Sequence, residues 1–417
     1  MPNNIQIKIC DNCGRELPLN KYTKIYGKNY RKICKECDNF GKIQNRYNKY
    51  LKEYCVNKSM HIQRKYKEII VSRILPMEIS GIEYISKGEK FVKLLYYRET
   101  WISTYGRVII KIGEKYKLLN GFYSRADNEL YYILDKNVNY NTKAGWGYIK
   151  IKVRACDLVI QTFIVNYDMQ NNIMVWHDNN DKTDNYYKNL YPVTKLQYNA
   201  IKKVYDNLGV IWEEQIMNIV NAVEYKYKTW NPYYLKRSFE GIAYLGTDDA
   251  DYKSPEFNKW INMIQRCYNK KIQKNKPYYK DKTVCEEWLN FANFRIWFRE
   301  YVINGDKVDI DKDILFQGNK IYSPETCVFV KHYINTMFEN RGMKCNIVMN
   351  ADKKYVASCV IKSEKKEFGV FNTKEEAIQG YIKGKKKCIL ELAEEYKGKV
   401  QDCLYNAMIN WNVEVYD

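Results

Sequence analysis

The chain has 417 residues and a formal net charge of +20, from 69 lysines and arginines against 49 aspartates and glutamates. Hydrophobic residues make up 46% of it, enough for packed cores, which excludes wholesale disorder. It holds no run of about 18 apolar residues, and its N-terminal MPNNIQIKICDNC lacks the apolar centre of a secretory signal, so a cytoplasmic protein without a membrane span is expected. Single cores seldom grow past about 250 residues, which predicts roughly two to four domains. The positive excess attracts polyanions, of which nucleic acid is the usual one. The chain is also rich in Tyr, Asn, Ile and Lys, the bias of AT-rich coding, so part of the lysine count needs no functional reason. Its 13 cysteines are scattered and odd in number, and in a reducing compartment most read as small buried apolar residues.

Residues 1–60 are the exception. Cys10 and Cys13 form one CxxC and Cys34 and Cys37 a second, with twenty residues between the pairs. Two thiolate pairs at this spacing close a tetrahedral structural Zn²⁺ site. Gly14 suits a knuckle turn, Gly27 in YGKNY a hairpin tip, and the basic run from Lys42 a helix. Knuckle, hairpin, knuckle and helix is the order of a treble-clef or ribbon-like finger. The zinc can serve only to hold a mini-domain too small to fold alone. That role is compatible with DNA contacts by Lys32, Lys42, Arg46 and Lys49.

A basic helix is expected over residues 60–75, up to Pro76. Residues 77–115 contain WISTYGRVIIKIG, in which Trp101, Ile102, Ser103, Gly106, Arg107 and Val108 resemble the short recognition motif found beside HNH homing endonucleases. Its plain alternative is a hairpin turning at Gly106. Within residues 116–205, DLV with Phe163, then His177, Lys182, Asn185 and NLYPVT from Asn189 resemble the ββα-metal core of phage-type HNH homing endonucleases over about fifty residues. The resemblance implies two strands and a helix, a metal-dependent phosphodiesterase, and double-stranded DNA as partner. It implies His177 as general base, its ordinary pKa being near neutrality. It also implies Asn189 and Asn199 as oxygen ligands of a catalytic Mg²⁺, with Lys182 and Arg107 on DNA. Several positions depart from the family. Trp176 stands where many active members carry a metal-binding Asp or Asn, and Cys156 replaces the first His. Asn179 and Asn180 replace an Asp-Gly turn, and Pro192 replaces an aromatic. The second helix Asn should stand eight places after Leu190, where Tyr198 is found, and Asn199 follows. Two readings follow: a DNA-binding HNH endonuclease, or a catalytically degenerate derivative that binds DNA as a regulatory or architectural protein. An inhibitor or adaptor of another protein, with an incidental basic surface, is a third.

Residues 206–240 read as a helical linker. Residues 241–340 read as an aromatic-rich helical domain, with Phe257, Trp260 and Ile264 on one face and Trp288, Phe291, Phe294, Trp297 and Phe298 on another, as core residues would be. The run DKDILFQGNKIYSPETCVFV resembles a domain that recurs in phage proteins. Aligning TCVFVKHYIN on NLYPVTKLQYN sets Cys327 on Leu190 and suggests a second ββα-like unit without the His. Asp309, Asp311 and Asp313 alternate along its strand, either as a carboxylate metal site or as a solvated face, the latter being favoured. Residues 341–417 read as a three-stranded sheet plus helix, with Thr373 and Glu376 as a capping box. This order resembles the DNA-binding domain of ethylene-response factors and phage integrases. The Arg and Trp contacts of its first strand are missing here, so phosphate gripping by Lys353, Lys354, Lys362, Lys365 and Lys366 is expected rather than base reading. The fold class expected overall is α+β and multi-domain.

Overall fold

A computed structural model of the protein describes residues 6–12, 14–25, 27, 29–39, 41–42, 45, 62–76, 79, 81–139, 146–225, 231–302, 307–338, 347–362 and 364–415. The class is α+β, as expected. Strands β1 (Ile7–Ile9) and β2 (Glu16–Pro18) pair antiparallel, as do β3 (Tyr22–Lys24) and β4 (Tyr30–Cys34). These two hairpins bury Cys10, Tyr22 and Cys34 as a small core of their own.

Four short strands follow as an antiparallel meander: β5 (Phe91–Lys93), β6 (Thr100–Ser103), β7 (Val108–Ile112) and β8 (Lys115–Leu119). A second sheet holds β9 (Phe122–Tyr123), β10 (Leu130–Asn139) and β11 (Trp146–Arg154), with β10 in the middle. Helix α1 (Ala155–Phe163) packs under both. Next come β12 (Met174–His177), its antiparallel partner β13 (Leu190–Val193), and helices α2 (Lys195–Leu208) and α3 (Glu213–Asn221). The hairpin-then-helix order of β12, β13 and α2 is the one the sequence suggests. Thr194 starts α2 with a capping box: its side chain accepts from the Gln197 N–H, and Gln197 accepts from the Thr194 N–H.

Alternation along β12 divides its side chains between two cores. Val175 joins Val92, Ile102, Val108, Leu134, Leu158 and Leu190, a core shared by the meander, the second sheet and α1. Trp176 joins Ile201, Ile211, Ile216 and Val220 on the helix side. The expected boundary at 115/116 therefore falls at the start of β8, and the one at 205/206 falls inside α2. The segment expected as a linker contributes α3, which completes the core around Trp176. Hydrophobic periodicity marks elements but not which of them share a core.

The second half holds α4 (Pro255–Tyr268), α5 (Lys270–Asn275), β14 (Thr283–Val284) and α6 (Phe291–Tyr301). It continues with β15 (Val308–Asp311), β16 (Ile321–Tyr322), β17 (Val328–Lys331) and α7 (His332–Phe338). The aromatic stripes form its core, as expected: Phe257, Trp260, Trp288, Phe291, Phe294 and Trp297 pack together. β15 and β17 pair antiparallel and lead into α7, so a second hairpin-then-helix unit is present. Its register differs by one residue from the sequence alignment: Val328, not Cys327, holds the place of Leu190, and Asp311 holds that of His177. The C-terminal strands β18 (Ile347–Met349), β19 (Tyr355–Ile361) and β20 (Glu364–Phe371) form the expected sheet, against α8 (Lys374–Tyr396) and α9 (Asp402–Asn410). A Cβ on Gly384 would come within 2.3 Å of the Phe368 ring, so that glycine permits the close approach of helix and sheet. Val328, Val330 and Ile334 share one core with Ile347, Ala377 and Leu392, so residues 307–338 and the C-terminal sheet are packed as one.

A polar clamp joins the halves. The loop between α1 and β12 donates backbone N–H groups to Glu287 (from Asn166, 2.9 Å) and to Asn293 (from Met169, 2.8 Å). Asn290 and Asn293 donate back to the Tyr167 and Asn166 carbonyls. Beside it the Lys67 ammonium sits between Glu287 (2.7 Å) and Glu325 (2.6 Å). Burial would lower the Lys67 pKa, but the two carboxylates outweigh it and hold the ammonium charged. Glu325 belongs to the SPETC run, whose Thr326 hydroxyl donates to the Ile321 carbonyl and accepts from the Ser323 N–H. The motif thus shapes a turn and delivers an acid to the clamp. Among the described residues no helix is long and apolar enough to cross a membrane.

Candidate functional site

His177 ends β12, opposite Leu190. It is 3% exposed, and its Nε2 is buried without a partner. Burial lowers its pKa, against a hydrogen bond with Asn185 that favours the protonated ring, so the ring stays neutral. A general base must reach a water molecule, and this ring is sealed from solvent.

Asn189 does not offer its amide to a metal. Its Oδ1 accepts from the Asn179 N–H at 3.1 Å, and its Nδ2 donates to Asn179 Oδ1 and to the Asp184 carbonyl. It pins the polar loop between β12 and β13. Asn185, also buried, packs where Gly106 lets the meander come close; a Cβ on that glycine would lie 2.5 Å from Asn185 Cβ. Asn199 is exposed on the outer face of α2. Among the described residues no contact links Asn199 to His177 or Asn189, and the structure does not bring the three together as a metal shell.

The two positions at which the resemblance wants metal ligands meet each other instead. Trp176 is 1% exposed, and Tyr198 lies edge-on to its ring at a centroid distance of 5.6 Å. Tyr205 meets the indole from another side at 5.7 Å. Aromatic carbon therefore fills the space between β12 and α2 at these positions.

Around this unit the cations fall into two groups. Arg107, expected on DNA, instead grips Glu89 with two bonds of 3.0 and 2.5 Å, and the Glu89 side chain is fully buried. It is a structural ion pair. Lys182 donates to the Asp127 carbonyl and lies 3.6 Å from Glu129, an acid it shares with Arg154. Arg64, which the sequence reading missed, donates to the Tyr191 hydroxyl and to the carbonyls of Lys188 and Leu190, so it braces β13. Nothing in local sequence marks such long-range partners. The second group is the outer face of α2, where Lys195, Asn199 and Lys203 are exposed at helical spacing. Neither lysine meets a carboxylate among the described residues, while neighbouring Lys202 pairs with Asp206.

At the N-terminus the thiols of Cys10, Cys34 and Cys37 lie within 4.8 Å of one another, a cluster able to hold a metal ion. Cys13 and Arg46 lie outside the described residues. Lys42 is exposed and pairs with Asp38 at 2.7 Å.

The C-terminal sheet departs from its expected role. Lys362 and Lys366 turn to α8, pairing with Glu395 (2.8 Å) and Glu391 (3.2 Å), and Lys365 pairs with Glu367. The sheet exposes Val348, Met349, Val360 and Val370 instead of a row of free cations. Lys353 and Lys354, in the β18–β19 turn, remain exposed without an ion pair among the described residues. Asp309, Asp311 and Asp313 are likewise engaged separately. Asp309 binds His332 and Lys259, Asp311 accepts from the N–H groups of Asp313 and Ile314, and Asp313 meets Lys312. Asp311 is less solvated than a free strand face implies, and burial together with Asp313 pushes its pKa up to about 7.

No protein-family model, no curated protein and no solved structure matches this chain.

Proposed function

We propose that the chain is a nucleic-acid-binding protein in which an HNH-like ββα unit holds duplex DNA by its phosphates and does not cut it. The observation that carries the reading is the Trp176–Tyr198 contact, which fills the place of the metal with an aromatic pair. The sealed imidazole of His177 and the fully engaged amide of Asn189 support it. The gripping surface is the outer face of α2, with Lys195, Asn199 and Lys203 directed to phosphate, in the field of a chain carrying +20. Zn²⁺ on Cys10, Cys34 and Cys37, completed by Cys13, stabilises the N-terminal module and presents its lysines.

Filter binding of random-sequence duplex over a salt series tests the grip. The logarithm of the affinity should fall linearly with the logarithm of salt, and Lys195→Gln or Lys203→Gln should each lower the slope by about 1. An affinity indifferent to both substitutions and to salt overturns the binding. Plasmid incubated with Mg²⁺ or Mn²⁺ should stay supercoiled. Divalent-dependent nicking that disappears in His177→Ala would restore the nuclease reading.

A further inference from the structure

A cleft of about 370 Å³ lies where the β12–β13 hairpin and the chain before it face the second half, within the size range of small-molecule sites, which favour such junctions. Tyr167, Tyr191 and Tyr244 line it together with Leu190 and Leu289, and exposed Gln63 and Lys65 stand at its rim. Five charged groups face it. Lys65 and Glu286 neutralise each other at 2.6 Å. Asp168 is engaged by Asn171, and Arg64 by Tyr191 and two carbonyls. The Arg64 and Arg237 Nε–H groups are both buried without an acceptor. Arg64 also lies 3.5 Å from Glu213, and Arg237 alone of the three cations meets no carboxylate among the described residues. Arg237 donates to the Ile242 carbonyl. The Tyr167 and Tyr244 hydroxyls find no hydrogen-bond partner among the described residues, and burial keeps both protonated as donors. Three cations against two carboxylates leave one positive charge in the lining.

We infer that this cleft binds a single nucleotide, its phosphate on Arg237 and its base against the Tyr167 ring. A guanidinium and two phenolic donors suit phosphate oxygens; Arg64 and Arg237 already lie over the buried Tyr191 and Tyr244 rings, so the half-buried Tyr167 ring is the one on which a base stacks. The nucleotide is either a free nucleoside monophosphate or one unpaired unit of a strand. Only the second source rests on the nucleic-acid reading above.

Calorimetric titration of the full chain with the four nucleoside 5′-monophosphates and with the matching nucleosides tests the site. At least one monophosphate should bind with Kd near or below about 1 mM, its nucleoside about tenfold more weakly or worse. Arg237→Gln should weaken the monophosphate by about tenfold, and Tyr167→Phe, which removes only a hydroxyl, should weaken it less while leaving the melting curve unchanged. Absence of binding by all four, or equal binding by both variants, overturns the site. A duplex carrying one bulged nucleotide identifies the source: tighter retention than the paired duplex, lost in Arg237→Gln, assigns the strand, and equal retention assigns the free nucleotide. Duplex retention with no mononucleotide binding removes this inference alone. Mononucleotide binding without duplex retention removes the proposed function and leaves the cleft standing.

Discussion

Replacing Lys67 by Met perturbs the clamp between the halves at a buried charge. The Lys67 side chain is 11% exposed, that of Glu287 4% and that of Glu325 18%, so solvent screens little. Methionine fills a similar volume and leaves two carboxylates facing each other without their cation. Removing one partner of a buried ion pair typically costs about 3–5 kcal/mol, and two stranded acids place this variant at the upper end near pH 7. The pH dependence gives a second, sharper signature. In the wild type Glu287 is raised by burial against the pull of Lys67; burial raises Glu325 too, but Lys67, helped by Arg73 and a hydrogen bond with Ser323, outweighs it and holds it low. Without the ammonium both carboxyl pKa values move up in the folded state. A carboxylate raised above its unfolded value takes up a proton preferentially in the fold, so stability then rises as pH falls. The deficit of Lys67→Met should therefore shrink between pH about 7 and pH about 5. Urea unfolding followed by tryptophan fluorescence reports it, since Trp288 adjoins Glu287 in the chain. A loss below about 1 kcal/mol at neutral pH, or a deficit that does not change with pH, would refute a charge-based clamp.

Three further outcomes are expected. Arg107→Ala strands the buried Glu89 carboxylate and should cost about 3–5 kcal/mol of stability while leaving duplex affinity unchanged, whereas a fall in affinity without loss of stability would return Arg107 to the DNA surface. Chelation of the metal, or Cys34→Ser, should abolish stoichiometric zinc in elemental analysis and unfold the N-terminal hairpins, seen as loss of amide protection over residues 7–34, without shifting the melting of the remainder. Asp311, with its pKa near 7 against an unfolded value of about 3.9, favours the folded state as pH falls through that window. Asp311→Asn keeps the acceptor used by Asp313 and Ile314, so it should be more stable than wild type at about pH 8 and show a flatter pH slope; lower stability there contradicts the assigned shift.

Local pattern carried much of the architecture. Residues 190–208 are legible because a β-strand, a Thr/Gln capping box and a helix follow each other with their own signals. The same holds for the aromatic stripes of α4 and α6, and for the Thr373–Glu376 box that opens α8. The closeness of the Cys34 and Cys37 thiols follows from their CxxC spacing, while the pairing of the two hairpins brings Cys10 to them. Motif position also found His177 at the end of its strand. It could not give the exposure of the ring, which depends on what packs over it.

The sequence by itself determined many element types, the charge and the order hairpin-then-helix, because propensity, capping and alternation act over a few residues; residues 62–70, expected as a basic helix, are instead extended, with Tyr66 bridged to Ile164. Tertiary structure alone decided which cations are free. Lys362 and Lys366 read as phosphate contacts until their strand turns them toward Glu395 and Glu391, and Arg107 until Glu89 comes to meet it. It alone decided that Trp176 and Tyr198, 22 residues apart, close on each other. A charge or a ring has its chemistry set by its nearest neighbours, and in a folded chain those neighbours come from distant parts of the sequence.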